Sequence, residues 1–259
     1  SLHYYTLPTN NWGKKGSALE FDEKEWYRTL KATLKMEELI KVHGSIMDQY
    51  DPDRRIGMII DEWGTWYDVE PGTNPGFLYQ QNTMRDALVA GINLNLFNKH
   101  CDRVKMANIA QMVNVLQAVI LTDGERMLKT PTWHTFHMYQ HHQDGELVES
   151  SVETKQIGLE EDYQVPDLTE SVSLDKNGRL HVTMTNLSLT EDREIQGIFA
   201  DTTVKNVKGE ILTGKMQDHN TFEKADVVHS EAFSALEVNG GKVTFTIPAC
   251  SVLHLEVEV

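Results

Sequence analysis

Ile56-Gly57-Met58-Ile59-Ile60-Asp61-Glu62-Trp63-Gly64-Thr65-Trp66-Tyr67 decides the fold. Residues 56–60 are almost wholly apolar. A run this short and this apolar reads as a strand buried on both faces, as in parallel sheets covered by helices. It leads straight into two acids and then into aromatic residues. A buried carboxylate is costly unless it is paired or put to use. A carboxylate where a parallel strand runs out, ringed by aromatic side chains, stands where barrel enzymes keep their chemistry, and it suits work on a sugar.

The flanking sequence supplies the helices. Upstream, residues 2–7 read as a short strand and residues 8–17 as a polar loop. Asp22-Glu23-Lys24-Glu25 predicts a capping box, with Asp22 as N-cap and Glu25 reaching back. Trp26, Leu30, Leu34, Leu39, Ile40 and Met47 then recur at helical spacing until Pro52. Downstream, residues 64–76 form a long loop with Pro71 and Pro75, of the length that usually carries function. The pattern predicts a helix from about residue 78 to 100 and a strand over residues 104–109. Residues 115–121 fit neither period clearly. Thr130-Pro131 predicts a helix start, with the end near Asp144-Gly145.

Beyond this point the rhythm changes to period two. Leu180, Val182 and Met184 alternate with His181, Thr183 and Thr185, and Leu253, Leu255 and Val257 alternate with His254, Glu256 and Glu258. Asn177-Gly178 and Asn239-Gly240-Gly241 are hairpin signals. The predicted architecture is therefore α/β followed by all-β. Residues 1–146 fit a doubly wound sheet or part of a (β/α)8 barrel, and residues 147–259 fit an antiparallel β-sandwich. A full barrel needs about 250 residues.

Composition narrows the partners. The formal net charge of -15 opposes binding to nucleic acid or anionic lipid, whereas a neutral substrate is compatible with it. No apolar run approaches the roughly 20 residues that span a bilayer. Cys101 and Cys250, far apart in sequence, exclude a disulfide framework; they read as two free thiols in preference to a single bridge. The first residues show no leader-like pattern and no initiator Met, so the start reads as a cut and the compartment stays open between cytoplasmic and periplasmic or secreted.

Five blocks occur in order along the chain: Ser1-Leu2-His3-Tyr4-Tyr5, Asp61-Glu62-Trp63-Gly64-Thr65-Trp66-Tyr67, Met106-Ala107-Asn108-Ile109-Ala110-Gln111-Met112-Val113-Asn114, Thr130-Pro131-Thr132-Trp133-His134 and Ile247-Pro248-Ala249-Cys250-Ser251-Val252. Together they resemble the α-L-arabinofuranosidases of glycoside hydrolase family 51, over nearly the whole chain. The resemblance implies strands six to eight of a (β/α)8 TIM barrel followed by a C-terminal β-sandwich. It implies retaining release of terminal α-L-arabinofuranosyl groups from arabinose-containing polysaccharides or oligosaccharides, with no cofactor and no metal. By resemblance Glu62 is the nucleophile, His3 and Tyr5 are site residues after the sixth strand, Trp66 walls the pocket and Gln111 binds the sugar. Gly64 departs from the family, many of whose members carry Asn there. The family's general acid/base is a Glu preceded by Asn on an earlier strand, and this chain contains no Asn-Glu pair. The chain is thus expected to be a C-terminal portion, inactive alone, that self-associates or pairs with a missing N-terminal barrel half. Family members often form hexamers, so a homo-oligomer is implied.

Each site residue has a plainer reading. Glu62 would otherwise be a solvated strand-end acid, Tyr5 a core aromatic, Trp66 loop packing and Gln111 a buried structural amide. Strand alternation puts Asp61 and Glu62 on opposite faces, so they cannot form the catalytic pair, and Asp61 is left to bond backbone or a basic neighbour. His3 and Tyr5, two apart, share a face. Trp63 and Tyr67 are secondary candidates. His134, His137, His141 and His142 include a one-turn pair, but without an intervening acid or a nearby Cys they read as a packed and solvated helix face rather than a metal site. Two rivals remain: a related retaining barrel glycosidase, such as an endo-glucanase or xylosidase, and a carbohydrate-binding module built on the sandwich.

Overall fold

A computed structural model describes residues 1–259. Strands β1 (Leu2–Thr6), β2 (Met58–Thr65) and β3 (Val104–Ile109) form a parallel sheet in the order β1-β2-β3. Helices α1 (Glu23–Tyr50), α2 (Met84–Lys99) and α3 (Pro131–Tyr139) follow the successive strands. Between β3 and α3 lies a hairpin, β4 (Ile120–Asp123) and β5 (Arg126–Lys129), turned at Gly124 with φ 59°. The ambiguous residues 115–121 thus feed a hairpin rather than a helix.

Local chemistry sets the helix ends. Asp22 accepts the Glu25 N–H at 3.0 Å, so its half of the expected capping box forms. The complete box belongs to α2, where Thr83 and Asp86 each bond the other's backbone N–H region. That box starts α2 at Met84, later than helical periodicity predicts, because Pro75–Phe77 is spent on a separate 3-10 turn. Thr130 caps α3 over Pro131. The helix stops at Tyr139 and tightens into a 3-10 turn, Gln140–His142, short of the expected end.

The remaining strands are β6 (Glu146–Val148), β7 (Gln156–Ile157), β8 (Val165–Pro166), β9 (Leu168–Leu174), β10 (Arg179–Asn186), β11 (Arg193–Ile198), β12 (Asn206–Thr213), β13 (Ser230–Phe233), β14 (Leu236–Asn239), β15 (Lys242–Ile247) and β16 (Ser251–Glu258). Six of them make one sheet, β13-β12-β16-β10-β9-β6, and three make a second, β11-β15-β14. Both predicted hairpins are present, at Gly178 with φ 78° and Gly240 with φ 61°. Alternation sends Met184, Leu253, Leu255 and Val257 into the core between the two sheets, with Phe245 and Ile247 opposite. The architecture is part of a parallel α/β barrel followed by a β-sandwich.

The outer face of the large sheet is buried too. Trp26, Leu30, Leu88, Ile92 and Met138 of the helices share a core with Leu212 and Val252 of the sheet. Each such side chain contributes about 1.5–3 kcal/mol when fully buried. Helix α2 lies so close that a Cβ on Gly91 would stand 2.5 Å from Thr185 Cγ2. The seam also carries polar bonds, Asn95 to Thr169 at 3.0 Å and Asn98 to Ser171 at 3.0 Å. The sandwich therefore braces the back of the helices that support the parallel sheet.

Candidate active site

The parallel pairing of β1 with β2 puts His3 opposite Glu62 and Tyr5 opposite Gly64. Tyr5 Oη donates to Glu62 Oε2 at 2.5 Å. Burial, then the bond and charge of Glu62, push the Tyr5 phenol well above its ordinary value, so the tyrosine keeps its proton and remains the donor. His3 Nδ1 lies 3.6 Å from Glu62 Oε2. The expected shared face of His3 and Tyr5 is thus realised around one carboxylate.

Asp61 corrects the alternation argument. The register runs from Leu2 opposite Ile60 to His3 opposite Glu62, so β2 holds one extra residue at Asp61. A bulge of this kind breaks the two-residue period and re-aims side chains. Both acids consequently face the same imidazole: His3 Nε2 stands 3.8 Å from Asp61 Oδ2. The acids are not on opposite faces, and Asp61 has the basic neighbour expected for it.

Trp66 meets the Tyr5 ring edge-on at 4.9 Å, and Trp12 meets Trp66 edge-on at 5.4 Å. Trp12 is 58% exposed and was not singled out from sequence. Its only signal was an aromatic residue in the polar loop after β1. That loop is fastened to the loop after β2: Asp68 accepts the Lys15 and Gly16 N–H groups, and its own N–H donates to Gly16 O at 2.8 Å. Trp63 and Tyr67 leave the candidate set. Trp63 is buried between Phe97 and Phe136, and buried Tyr67 covers one face of the Arg85 guanidinium.

Gln111 follows β3. Its backbone is bonded to Val115 and Val119, while its side chain is exposed and makes no intramolecular hydrogen bond. The buried-amide reading fits Gln117 instead, which is 0% exposed and was not anticipated. Gly64 has φ 142°, a conformation that favours glycine, and a Cβ there would lie 3.2 Å from Gln117 Oε1 and 3.3 Å from Ala110 O. The departure at residue 64 thus belongs to a close approach of three segments.

The histidines scatter. His137 stacks on Trp133 at 4.9 Å, and His134, held down to about 4 by burial and then by Lys129, lies 3.4 Å from Ser230 Oγ. His141 and His142 sit in the 3-10 turn, not on α3 with His137; His141 stacks on His181 and His254 of the large sheet, and His142 reaches Ser173 and Thr183 of the same sheet. No group of three or more His, Cys, Asp or Glu side chains converges as metal ligands would. Cys101 is exposed and Cys250 buried, both free.

Residues 61–251 match the α-L-arabinofuranosidase C-terminal domain family. An intracellular exo-α-L-arabinofuranosidase of Bacteroides ovatus is 43% identical over 260 aligned residues, covering 100% of this chain and 50% of that protein. The crystal structure of a GH51 arabinofuranosidase from Xanthomonas axonopodis pv. citri superposes with a TM-score of 0.95 at 43% identity, covering 99% of this chain and 52% of that one. The Thermotoga maritima α-L-arabinofuranosidase has the same fold, with a TM-score of 0.80 at 23% identity. The chain spans about half the length of the relatives it matches. It belongs to the α-L-arabinofuranosidases of glycoside hydrolase family 51, whose C-terminal portion it represents.

Proposed function

We propose that Glu62 is the nucleophile of a retaining exo-acting hydrolase that releases terminal α-L-arabinofuranosyl groups from arabinose-containing glycans. The observation that carries this reading is the 2.5 Å bond from Tyr5 to Glu62 Oε2, with His3 on the same carboxylate and Trp66 beside it. Tyr5 and His3 fix one carboxylate oxygen, and the other remains to attack the anomeric carbon. In the first step that carbon bonds to Glu62, and the bond to the leaving oxygen breaks as a general acid gives that oxygen a proton. In the second, the same acid/base takes a proton from water, water bonds to the anomeric carbon, and Glu62 leaves. Two inversions give retention. Two carboxyl groups suffice, so the reading calls on no cofactor and no metal. The general acid/base is assigned to sequence outside these residues, because this chain has no Asn-Glu pair. Trp66 and Gln111 are assigned to the sugar, with Trp12 added as an exposed aromatic on the same rim.

The proposal extends to organisation. Residues 1–146 are read as the barrel portion and 147–259 as the sandwich. The missing barrel strands are the partners of the open edges β1 and β3, and a homo-oligomer is the expected assembly. The name of the Bacteroides ovatus relative supports an intracellular setting; no helix here is long and apolar enough to cross a membrane.

The test, made like the kinetic tests below on the chain completed by its N-terminal barrel half, is rescue of Glu62→Gly with azide. A small anion that fills the vacated space attacks the anomeric carbon directly, so a true nucleophile variant yields the inverted arabinosyl azide from 2,4-dinitrophenyl α-L-arabinofuranoside. Absence of azide product, or product of retained configuration, would remove Glu62 from the role.

A further inference from the structure

We propose that Gln117 is a positioning residue that sets the spacing between the strand end bearing Glu62 and the segment bearing Gln111; the proposal rests on the glycosidase reading above. Gln117 is wholly buried and cannot touch a sugar. Its Oε1 accepts the Thr65 N–H at 2.9 Å. Its Nε2 donates to Asp86 O at 2.8 Å and to Thr132 Oγ1 at 3.2 Å. Its backbone N–H donates to Ala110 O at 3.0 Å, and the Ala110 N–H in turn donates to Trp63 O at 2.9 Å. One residue thereby ties together the end of β2, the residue before Gln111, and the first turns of α2 and α3.

An amide suits this place because it presents an acceptor and two donors in opposite directions. The Thr65 N–H and Asp86 C=O need one of each. Residues of similar size without that pairing leave buried polar groups unmatched. The clasp is also tight. Gly64 is where Gln117 packs against the catalytic strand, and a Cβ at that position would already press on Gln117 Oε1 and Ala110 O. Gly64 is the register partner of Tyr5. A change at Gln117 therefore passes through two short backbone contacts to the Tyr5–Glu62 bond, and through Ala110 to Gln111. Misplacement by about 1 Å can cost on the order of 100-fold in rate, so a clasp of this kind acts on chemistry without meeting substrate.

Gln117→Glu and Gln117→Met test it, with 2,4-dinitrophenyl α-L-arabinofuranoside as the probe. Its phenolate departs without a proton, so release reports attack by Glu62 alone. Three quantities are read: phenolate release with the arabinosyl mass on the Glu62 peptide, the low-field NMR proton of the Tyr5 hydroxyl, and the melting temperature. Gln117→Met is expected to slow release about 10- to 100-fold and to shift or lose the Tyr5 proton. Neutral Glu can accept from Thr65 and donate to Asp86 as the amide does, but its carboxylate cannot donate. Gln117→Glu should therefore approach the parent at low pH and resemble Gln117→Met at high pH, relative to the parent at each pH. Parent-like release and an unmoved Tyr5 proton at every pH overturn the proposal, whatever the melting temperature does. If Gln117→Met does not fold, the pH dependence of Gln117→Glu decides alone. If the parent completed by its N-terminal barrel half gains no arabinosyl group on Glu62, the glycosidase reading fails, and the Tyr5 proton alone decides positioning: moved in the variants it supports the clasp, unmoved it refutes it.

Discussion

Tyr5 and Glu62, 57 residues apart in sequence, meet through a 2.5 Å hydrogen bond because their strands pair in parallel with an extra residue at Asp61. The bond places a neutral donor on one oxygen of the carboxylate. In the proposed role of Glu62 as nucleophile, that bond would steady the carboxylate's rotamer. Tyr5→Phe keeps the ring, and with it the edge contact to Trp66, while removing the donor. The expected outcome is a roughly 10- to 100-fold slower release of dinitrophenolate, with a melting temperature close to that of the parent. An unchanged release rate would show that the phenol does not act on the carboxylate.

Trp66 is half-buried and packs edge-on against both Tyr5 and Trp12. Its removal should act on binding more than on the bond-breaking step. Trp66→Ala is expected to raise KM for an aryl arabinofuranoside about tenfold, equal to about 1.4 kcal/mol, with a smaller effect on kcat. A fall confined to kcat would instead assign the indole to support of Tyr5 rather than to the sugar.

The strand–helix alternation, the sandwich and the two hairpins were legible because each rests on local periodicity or on a turn residue such as Gly178. Glu62 at a strand end, with Tyr5 on a neighbouring strand, was legible through the ordered blocks. The bulge at Asp61 was not, since it exists only in the register between β1 and β2. The burial of Gln117 was equally hidden, because its partners Thr65, Asp86 and Thr132 come from three other segments. Residues 115–121 stayed ambiguous for a related reason: the hairpin they lead into is turned at Gly124, outside the window that periodicity samples.

Gly91 tests how much the sandwich matters to the helices above it. A side chain there would enter the seam, since the added Cβ would stand 2.5 Å from Thr185 Cγ2 and 3.4 Å from the Tyr139 hydroxyl. Gly91→Val is expected to cost about 1–3 kcal/mol in urea unfolding through overpacking, despite valine's smaller backbone entropy loss. Gly44, with open space around its Cβ position, is the control, and Gly44→Ala should stabilise by up to about 1 kcal/mol. Equal behaviour of the two positions would mean that α2 is free to move away from β10.

The last prediction concerns acid. His142, in the 3-10 turn that follows α3, and His254, on β16, belong to one cluster of imidazoles with His141 and His181. His142 Nδ1 lies 2.7 Å from Ser173 Oγ and its Nε2 2.9 Å from Thr183 Oγ1, while His254 Nε2 lies 3.1 Å from His181 Nδ1. Burial first, and then neighbouring imidazoles, hold His142 down to about 4 and His254 down to about 3. His141, stacked 4.6 Å above His254, is lowered for the same reasons. His137 from α3 faces the cluster, as do Glu210 and Glu256 from the sheet, the latter paired with Arg179 and Lys208. Asp175 adds a fixed negative charge: burial would raise its carboxyl, but the Arg179 and Asn177 N–H groups hold it down to about 2. Because the folded state lowers the two imidazoles, it prefers them uncharged, and the unfolded chain binds protons first. Their contribution is complete above the ordinary value of 6.5 and drains away as pH falls toward about 4 and then 3. Urea midpoints should therefore fall between pH 7 and 4 more steeply for the parent than for His142→Gln/His254→Gln, with an upper bound of about 3 kcal/mol for each ring. Parallel acid slopes for the two proteins would show that these rings stay solvated enough to titrate as they do in the unfolded chain.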